Sequence, residues 1–257
     1  MHPTALPSKY GIGDFGETSR SFIDFLNESS TNIWQVLPLG LTSLDEFSPY
    51  SSPSSILGNR YLVDIEKLTK YEKIDIVTPQ FSNDFVQYKD VYKFKDDIFK
   101  NVSKNINLQD KIFTSFLDDD LIKKHITFLI LKDLNQKSWN EWDNVYQDYS
   151  DDLFDKLIIE NTELVNFHVL TQYEFFNQWK SLKKYANDKN VQILGDIPIY
   201  VNHDSADVWL NKEMFELDEI GNMELVSGAV PDSFNTEGQI WGNALYRWDL
   251  LKEDDFK

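Results

Sequence analysis

The chain has 257 residues, 41% of them hydrophobic and 14% aromatic, enough to bury a sizeable core in one large domain or two small ones. Lys and Arg number 25 against 43 Asp and Glu, and the formal net charge of −18 gives a surface that repels nucleic-acid backbones and anionic membranes and suits a neutral small molecule or polymer. With no cysteine, disulfides and thiolate metal sites are excluded and a cytoplasmic location is expected; no apolar run approaches a membrane span, and "MHPTALPSKYG" has neither the basic nor the apolar region of a signal peptide.

In chain order, "ETSRSFIDFLNE" (17–28) predicts a short helix with Phe22, Phe25 and Leu26 on its buried face. "TNIWQVLPLG" predicts a buried strand from Ile33 to Leu39, closed by Pro38 and Gly40. The serines, prolines and glycine of 43–68 forbid a long regular element and predict a structured loop. From about 68 to 163 the chain alternates Lys, Asp and Asn with apolar residues at helical intervals, which predicts a helical insertion whose charge runs are solvated faces.

Val165, Val169, Tyr173, Phe176, Trp179, Leu182 and Ala186 recur at steps of three and four and mark one face of a long helix that ends at "NDKN". The apolar run "VQILGDIPIYV" follows as a buried strand. A long helix feeding such a strand is the pattern of a parallel α/β sheet, and two clear strands are too few to close an eight-stranded barrel. The remainder after Trp209 reads as loop-rich, with a hairpin at "LDEIGNMEL" turning on Gly221 and Asn222.

The ionisable groups Asp196, His203, Asp204 and Asp207 fall at the end of the second strand and on the loop after it, where α/β barrels keep their working residues. Asp204 and Asp207 are equally open to a role at the start of a short helix, with Asp204 or Ser205 as its cap. Asp196 is different, because an aspartate within an apolar strand must find partners. The scattered histidines and the adjacency of His203 and Asp204 argue against a metal site, and no nucleotide-binding glycine motif precedes a helix. "SPYSS", "PDSF" and "QIWGN" set aromatic rings beside amides and carboxylates, a mixture suited to sugars, although Tyr50, Phe234 and Trp241 are also open to plain loop packing.

Taken in order, "HPTALPSKYGIGDFG", "WQVLPLG", "SPYSSPSSILGNRYLVD", "GDIPIYVNHDSADVW" and "PDSFNTEGQIWGN" closely resemble the 4-α-glucanotransferases called amylomaltases or disproportionating enzymes. The resemblance spans residues 1 to about 250 and is weakest in the helical insertion. It implies an α/β fold: the first strands of a partial (β/α)8 TIM barrel with a helical insertion subdomain. Residues 1–67 would open the barrel and carry the donor-side loop, 68–163 would form the insertion, and 164–257 would supply a barrel helix, a strand and the loop that overhangs the cleft. It further implies transfer of α-1,4-glucan segments between maltooligosaccharides, with no organic cofactor, metal, nucleic acid or membrane partner. Asp196 would hydrogen-bond the sugar at the cleavage subsite, Ser48 and Tyr50 would line the donor side, and Asp232, Phe234, Gln239, Trp241 and Asn243 would come from the overhanging loop.

Two departures stand inside these motifs: Ser233 replaces an aromatic residue usual in the family, and Ala244 stands where a proline is usual after W-G-N. Retaining transfer also needs two carboxylates about 5–5.5 Å apart, one as nucleophile and one as acid/base. The family keeps its nucleophile in R-x-D-H-F-R-G, yet none of Arg20, Arg60 and Arg247 opens such a motif. The catalytic carboxylates are therefore expected beyond Lys257, and the 257 residues alone are expected to lack transferase activity. An α-glucan hydrolase of related class and a non-catalytic maltooligosaccharide-binding half barrel remain as alternatives.

Overall fold

The computed structural model describes residues 1–43, 46–253, 255 and 256; Leu44 and Asp45, within the loop expected over 43–68, lie outside the described residues. The regular elements are α1 (Glu17–Glu28), β1 (Ile33–Gln35), α2 (Tyr88–Ser103), α3 (Lys111–Leu117), α4 (Asp120–Asn135), α5 (Asp151–Glu160), α6 (Thr162–Asp188), β2 (Gln192–Leu194), α7 (Ala206–Leu210), β3 (Val226–Ala229), β4 (Gln239–Ala244) and α8 (Trp248–Glu253). The fold mixes helix and sheet: β1 and β2 pair in parallel, Trp34 opposite Ile193, and β3 and β4 pair antiparallel.

Local chemistry sets the helix boundaries. Asp119 caps α4 by accepting from the N–H groups of Leu121 and Ile122, and Ser150 caps α5 through the N–H of Leu153. The turn after α6 uses Asn190 at φ 58°, a left-handed conformation that asparagine tolerates better than most residues. Val165, Val169, Leu182 and Ala186 of α6 are buried as its periodicity predicts, while Tyr173, Phe176 and Trp179 pack half-buried against the same core. Every residue from Val165 to Gln172 is buried, because α2, α4 and α5 cover the side of α6 that a surface helix would leave wet. The helices of 88–160 and the parallel strand pair thus share one apolar core.

Three of the buried polar side chains of α6 hold the segment expected as a loop and the residues just after it. Gln172 accepts from the Gly58 N–H at 2.9 Å and donates to the Gly58 carbonyl at 3.0 Å. Gln178 does the same at Asp64, accepting from its N–H at 2.8 Å and donating to its carbonyl at 3.3 Å. Between them, Glu174 accepts from the Tyr71 hydroxyl at 2.6 Å and pairs with Lys70 at 2.8 Å. Each glutamine copies the paired donor and acceptor of a neighbouring strand, so the backbone of 58–64 is satisfied without belonging to a sheet. Gly58 is obligatory at this contact, since a Cβ there would lie 2.0 Å from the Phe175 ring.

Several expectations are corrected. The strand expected over 33–39 ends at Gln35, although the Val36 N–H still donates to the Leu194 carbonyl at 2.9 Å; Pro38, with no N–H, cannot extend the ladder. Burial alternates along β1, so Trp34 is buried while Ile33 and Leu37 are exposed. The second strand ends at Leu194, and Leu194, Ile197 and Ile199 are exposed rather than buried. On α1, Ile23 takes the buried place expected for Phe25, which is exposed. The turn at Gly221 forms, with φ 82°, but its arms meet in one isolated bridge, Leu217 to Met223. The true hairpin of this region, β3–β4, lay hidden because glycines and a register shift interrupt its alternation.

The Lys, Asp and Glu side chains of α2 to α5 are exposed or partly exposed, with one exception. Lys95 on α2 is fully buried and donates to the carbonyls of Tyr61 and Val63 at 2.8 and 3.0 Å, with Asp14 at 3.4 Å. Burial pushes the Lys95 amine below its usual pKa and the Asp14 carboxyl above its own. One helix turn is thereby bonded to the 60–63 backbone that α6 holds from the other side.

Replacing Gln172 by leucine keeps the volume and strands both the N–H and the carbonyl of Gly58. Urea melts are expected to show a loss of about 2–5 kcal/mol, from roughly 1–3 per orphaned group, while Leu at the exposed Asn177 stays within about 0.5 kcal/mol of the parent. Equal stability of the two variants would remove the clamp from the account.

Candidate functional site

The two parallel strands end side by side, and the loops beyond them converge. Asp196 lies two positions past β2, not within it, and it is exposed. One carboxylate oxygen turns back to accept from the Ile197 N–H at 2.8 Å; the other accepts from the Tyr50 hydroxyl at 2.6 Å, joining residues 146 positions apart. The bond to Asp196 holds the Tyr50 phenol above its usual pKa, so tyrosine is the donor at neutral pH. Ser48 orients this tyrosine from behind, its hydroxyl accepting from the Tyr50 N–H at 3.3 Å.

The loop that carries Tyr50 is fixed by groups from three directions. The Ser54 hydroxyl accepts from the N–H groups of Ile56 and Leu57 and bonds to Nδ1 of His125, on α4, at 2.8 Å. Asp207, at the start of α7, accepts from the Ser55 N–H at 2.9 Å and from the Ser55 hydroxyl. The Pro53 carbonyl accepts from the Ala206 N–H at 2.9 Å. Ser205, not Asp204, caps α7 through the Val208 N–H. The segments "SPYSSPSS" and "HDSAD", far apart in sequence, are therefore bound directly to each other.

His203 and Asp204 have structural partners. His203 Nε2 bonds to the Gly221 carbonyl at 2.7 Å, and Asp204 pairs with Lys132 and accepts from the Trp139 N–H at 3.2 Å. Among the described residues no group of three His, Cys, Asp or Glu is placed to hold a metal ion, and no helix is long and apolar enough to cross a membrane.

The remaining candidates lie on or between β3 and β4. Asn243 reaches the loop after β2, its amide donating to the Val201 carbonyl at 3.1 Å while its oxygen accepts from the Ser227 hydroxyl at 3.4 Å. Gln239 accepts from the Trp241 indole N–H at 3.0 Å, and this pair lies on the exposed part of β4. Asp232 folds the hairpin end, accepting from the N–H groups of Phe234 and Asn235 at 2.8 Å each, and those bonds hold its carboxyl below its usual pKa. Phe234 projects beside it, 98% exposed. Tyr50 and Asp196 thus meet, and Asn243 ties the hairpin to the loop that carries Asp196; no hydrogen bond among the described residues links Asp232, Phe234, Gln239 or Trp241 to that pair. Sequence reasoning missed Ser55 and His125 as supports of the Tyr50 loop, since neither sits in a pattern that distinguishes it from an ordinary polar residue.

A family model described as 4-alpha-glucanotransferase matches residues 1–257. The chain belongs to the 4-alpha-glucanotransferase family. It is 39% identical to a 4-alpha-glucanotransferase of Clostridium butyricum, covering 100% of this chain and 55% of the relative, and 36% identical to one of Thermus thermophilus, covering 100% and 53%. The solved structure of an amylomaltase from Streptococcus agalactiae in complex with acarbose superposes with a TM-score of 0.86 at 35% identity, over 100% of this chain and 54% of that one. The chain spans about half the length of the curated relatives it matches.

One pH dependence follows from the support of the Tyr50 loop. Burial lowers the pKa of His125 from its usual 6.5, against an opposing pull from the Asp207 carboxylate, so the unfolded chain binds a proton that the folded chain refuses. Stability is then fully present above about pH 6.5 and declines as pH falls below it. Thermal melts from pH 8 to pH 5 are expected to show this decline, and His125→Asn, which keeps a partner for Ser54, should shallow it. An unchanged slope in the variant would show that His125 is not its source.

Proposed function

We propose that the protein is a 4-α-glucanotransferase that moves α-1,4-glucan segments between maltooligosaccharides, and that these 257 residues supply sugar-binding groups of its cleft. The contact that carries this reading is Tyr50 to Asp196 at 2.6 Å, which sets an aromatic face beside an exposed carboxylate at the ends of two parallel strands. A sugar ring offers apolar C–H groups to such a face and hydroxyl donors to such a carboxylate. The strong negative charge of the chain disfavours anionic ligands and is compatible with a neutral saccharide.

In this reading residues 1–67 and 164–257 open a (β/α)8 barrel, with 68–163 as a helical insertion packed behind it, and a cytoplasmic location accords with the cysteine-free chain. Asp196 holds two hydroxyls of the glucosyl unit at the cleavage subsite, and Tyr50, bonded through its own hydroxyl, fixes the carboxylate's orientation before the sugar arrives. Ser48 lines the donor side with Tyr50. Asp232, Phe234, Gln239, Trp241 and Asn243 overhang the acceptor side, where exclusion of water favours a sugar hydroxyl as the second-step nucleophile. That step passes a glucosyl unit from a covalently held carboxylate ester to the incoming hydroxyl, whose proton goes to a second carboxylate acting as base. No organic cofactor enters this scheme.

The test is disproportionation of maltotriose by the full-length protein, read as glucose together with longer maltooligosaccharides. Asp196→Asn is expected to lower kcat/KM by about 10- to 100-fold, the worth of one or two charge-assisted hydrogen bonds, and Tyr50→Phe by roughly 3- to 10-fold. Glucose without longer products would make the protein a hydrolase; an Asp196→Asn variant as active as the parent would discard the site.

A further inference from the structure

The hairpin that carries Trp241 and Asn243 is held at a second point, remote from Asp196. Trp139 belongs to the helical region, is 1% exposed, and lies where four chain segments meet. Its indole N–H donates to the His203 carbonyl at 2.8 Å, and its backbone N–H donates to Asp204 at 3.2 Å, which also pairs with Lys132 on α4. Its ring lies 5.5 Å from that of His203, whose Nε2 bonds to the Gly221 carbonyl at 2.7 Å. The Gly221 backbone sits directly on the indole: a Cβ there would fall 2.5 Å from Cη2 of Trp139. Next to it, Asn140 donates to the Asn222 side chain at 2.9 Å.

The seated turn is continuous with the hairpin. Leu217 pairs with Met223, Glu216 donates its N–H to the Leu245 carbonyl at 2.9 Å, and Phe215 pairs with Tyr246, so the arm 214–217 runs between the strand leaving the turn and the strand leaving β4. The turn is thereby joined by backbone hydrogen bonds to the segment that leaves β4. His203 lies on the same loop as Asp196, so one indole contacts both the loop bearing the sugar carboxylate and the turn steering the overhanging hairpin.

We propose that Trp139 is a positioning residue for the acceptor side of the cleft: it fixes the height of the β3–β4 hairpin over Asp196 through the Gly221 turn. The proposal rests on the glucanotransferase reading above. It assigns the helical region a role in how the incoming sugar is held, and it leaves donor cleavage to groups that Trp139 does not touch.

Trp139→Phe removes the Cη2 and Cζ3 edge on which Gly221 sits, together with the indole donor to the His203 carbonyl. The control is Trp142→Phe, at another buried tryptophan of the helical region, whose indole donates to the Lys137 carbonyl at 3.1 Å. In the full-length protein, Trp139→Phe is expected to raise the KM for glucose as acceptor about tenfold and leave kcat with maltotriose within about twofold, as loss of the seat under Gly221 would do. Amide exchange over 226–244 should quicken in the same variant. Trp142→Phe, whatever its melting temperature, should change neither. Acceptor KM and exchange both unaltered in Trp139→Phe, or altered equally in Trp142→Phe, would overturn the proposal. A parent protein without transferase activity would instead defeat the functional reading, while the exchange comparison would still decide whether Trp139 governs the hairpin.

Discussion

The fold depends on two glutamines lying inside a hydrophobic helix. Gln172 and Gln178 each offer one acceptor and one donor to a single backbone unit, at Gly58 and Asp64, and so complete the hydrogen bonding of a segment that no sheet satisfies. A buried amide pair left open would be costly, and here each closes on a complementary pair in place of water. Lys95 supplies the third fastening from α2, at Tyr61 and Val63. The segment between the two strands can therefore be irregular and rigid at once, which is what a binding loop requires of its scaffold.

That rigidity is relayed to the site in short steps. The fixed Gly58 leads back to Leu57, Ile56 and the Ser54 hydroxyl, then to Ser55 and Asp207, and the same loop presents Tyr50 to Asp196. Charge in this region is used for attachment: Asp207, Asp204 and Asp64 spend their oxygens on backbone N–H groups, the Ser55 hydroxyl or cationic side chains. Asp196, with one neutral hydroxyl and one N–H as partners, differs in standing exposed. It is the carboxylate in the cluster with capacity left for a ligand.

Sequence patterns revealed what depends on periodicity and little of what depends on long-range pairing. The helix of 162–188 was legible from its three- and four-residue steps, and its end from the asparagine at 190. Its second buried face was not, because Asn166, His168, Gln172 and Glu174 look like solvent residues until the helices packed on them are known. Strand extent was overestimated on both β1 and β2, since apolar runs record burial and not ladder length. β3 and β4 were missed because Gly228, Gly238 and Gly242 read as loop. Of the candidate site, the meeting of Tyr50 with Asp196 could be expected only through the family resemblance; spacing alone left loop packing open for Tyr50 and capping open for Asp204 and Asp207.

Gly58 has a consequence for any effort to diversify this scaffold. Its α-hydrogen faces the Phe175 ring at a distance where even a methyl group would overlap carbon with carbon, while both of its peptide groups are tied to Gln172. A saturation library at this codon should return glycine alone, and laboratory evolution of the neighbouring loop would have to proceed around a fixed point, with enlargement at 58 reachable only after the phenylalanine opposite has been made smaller.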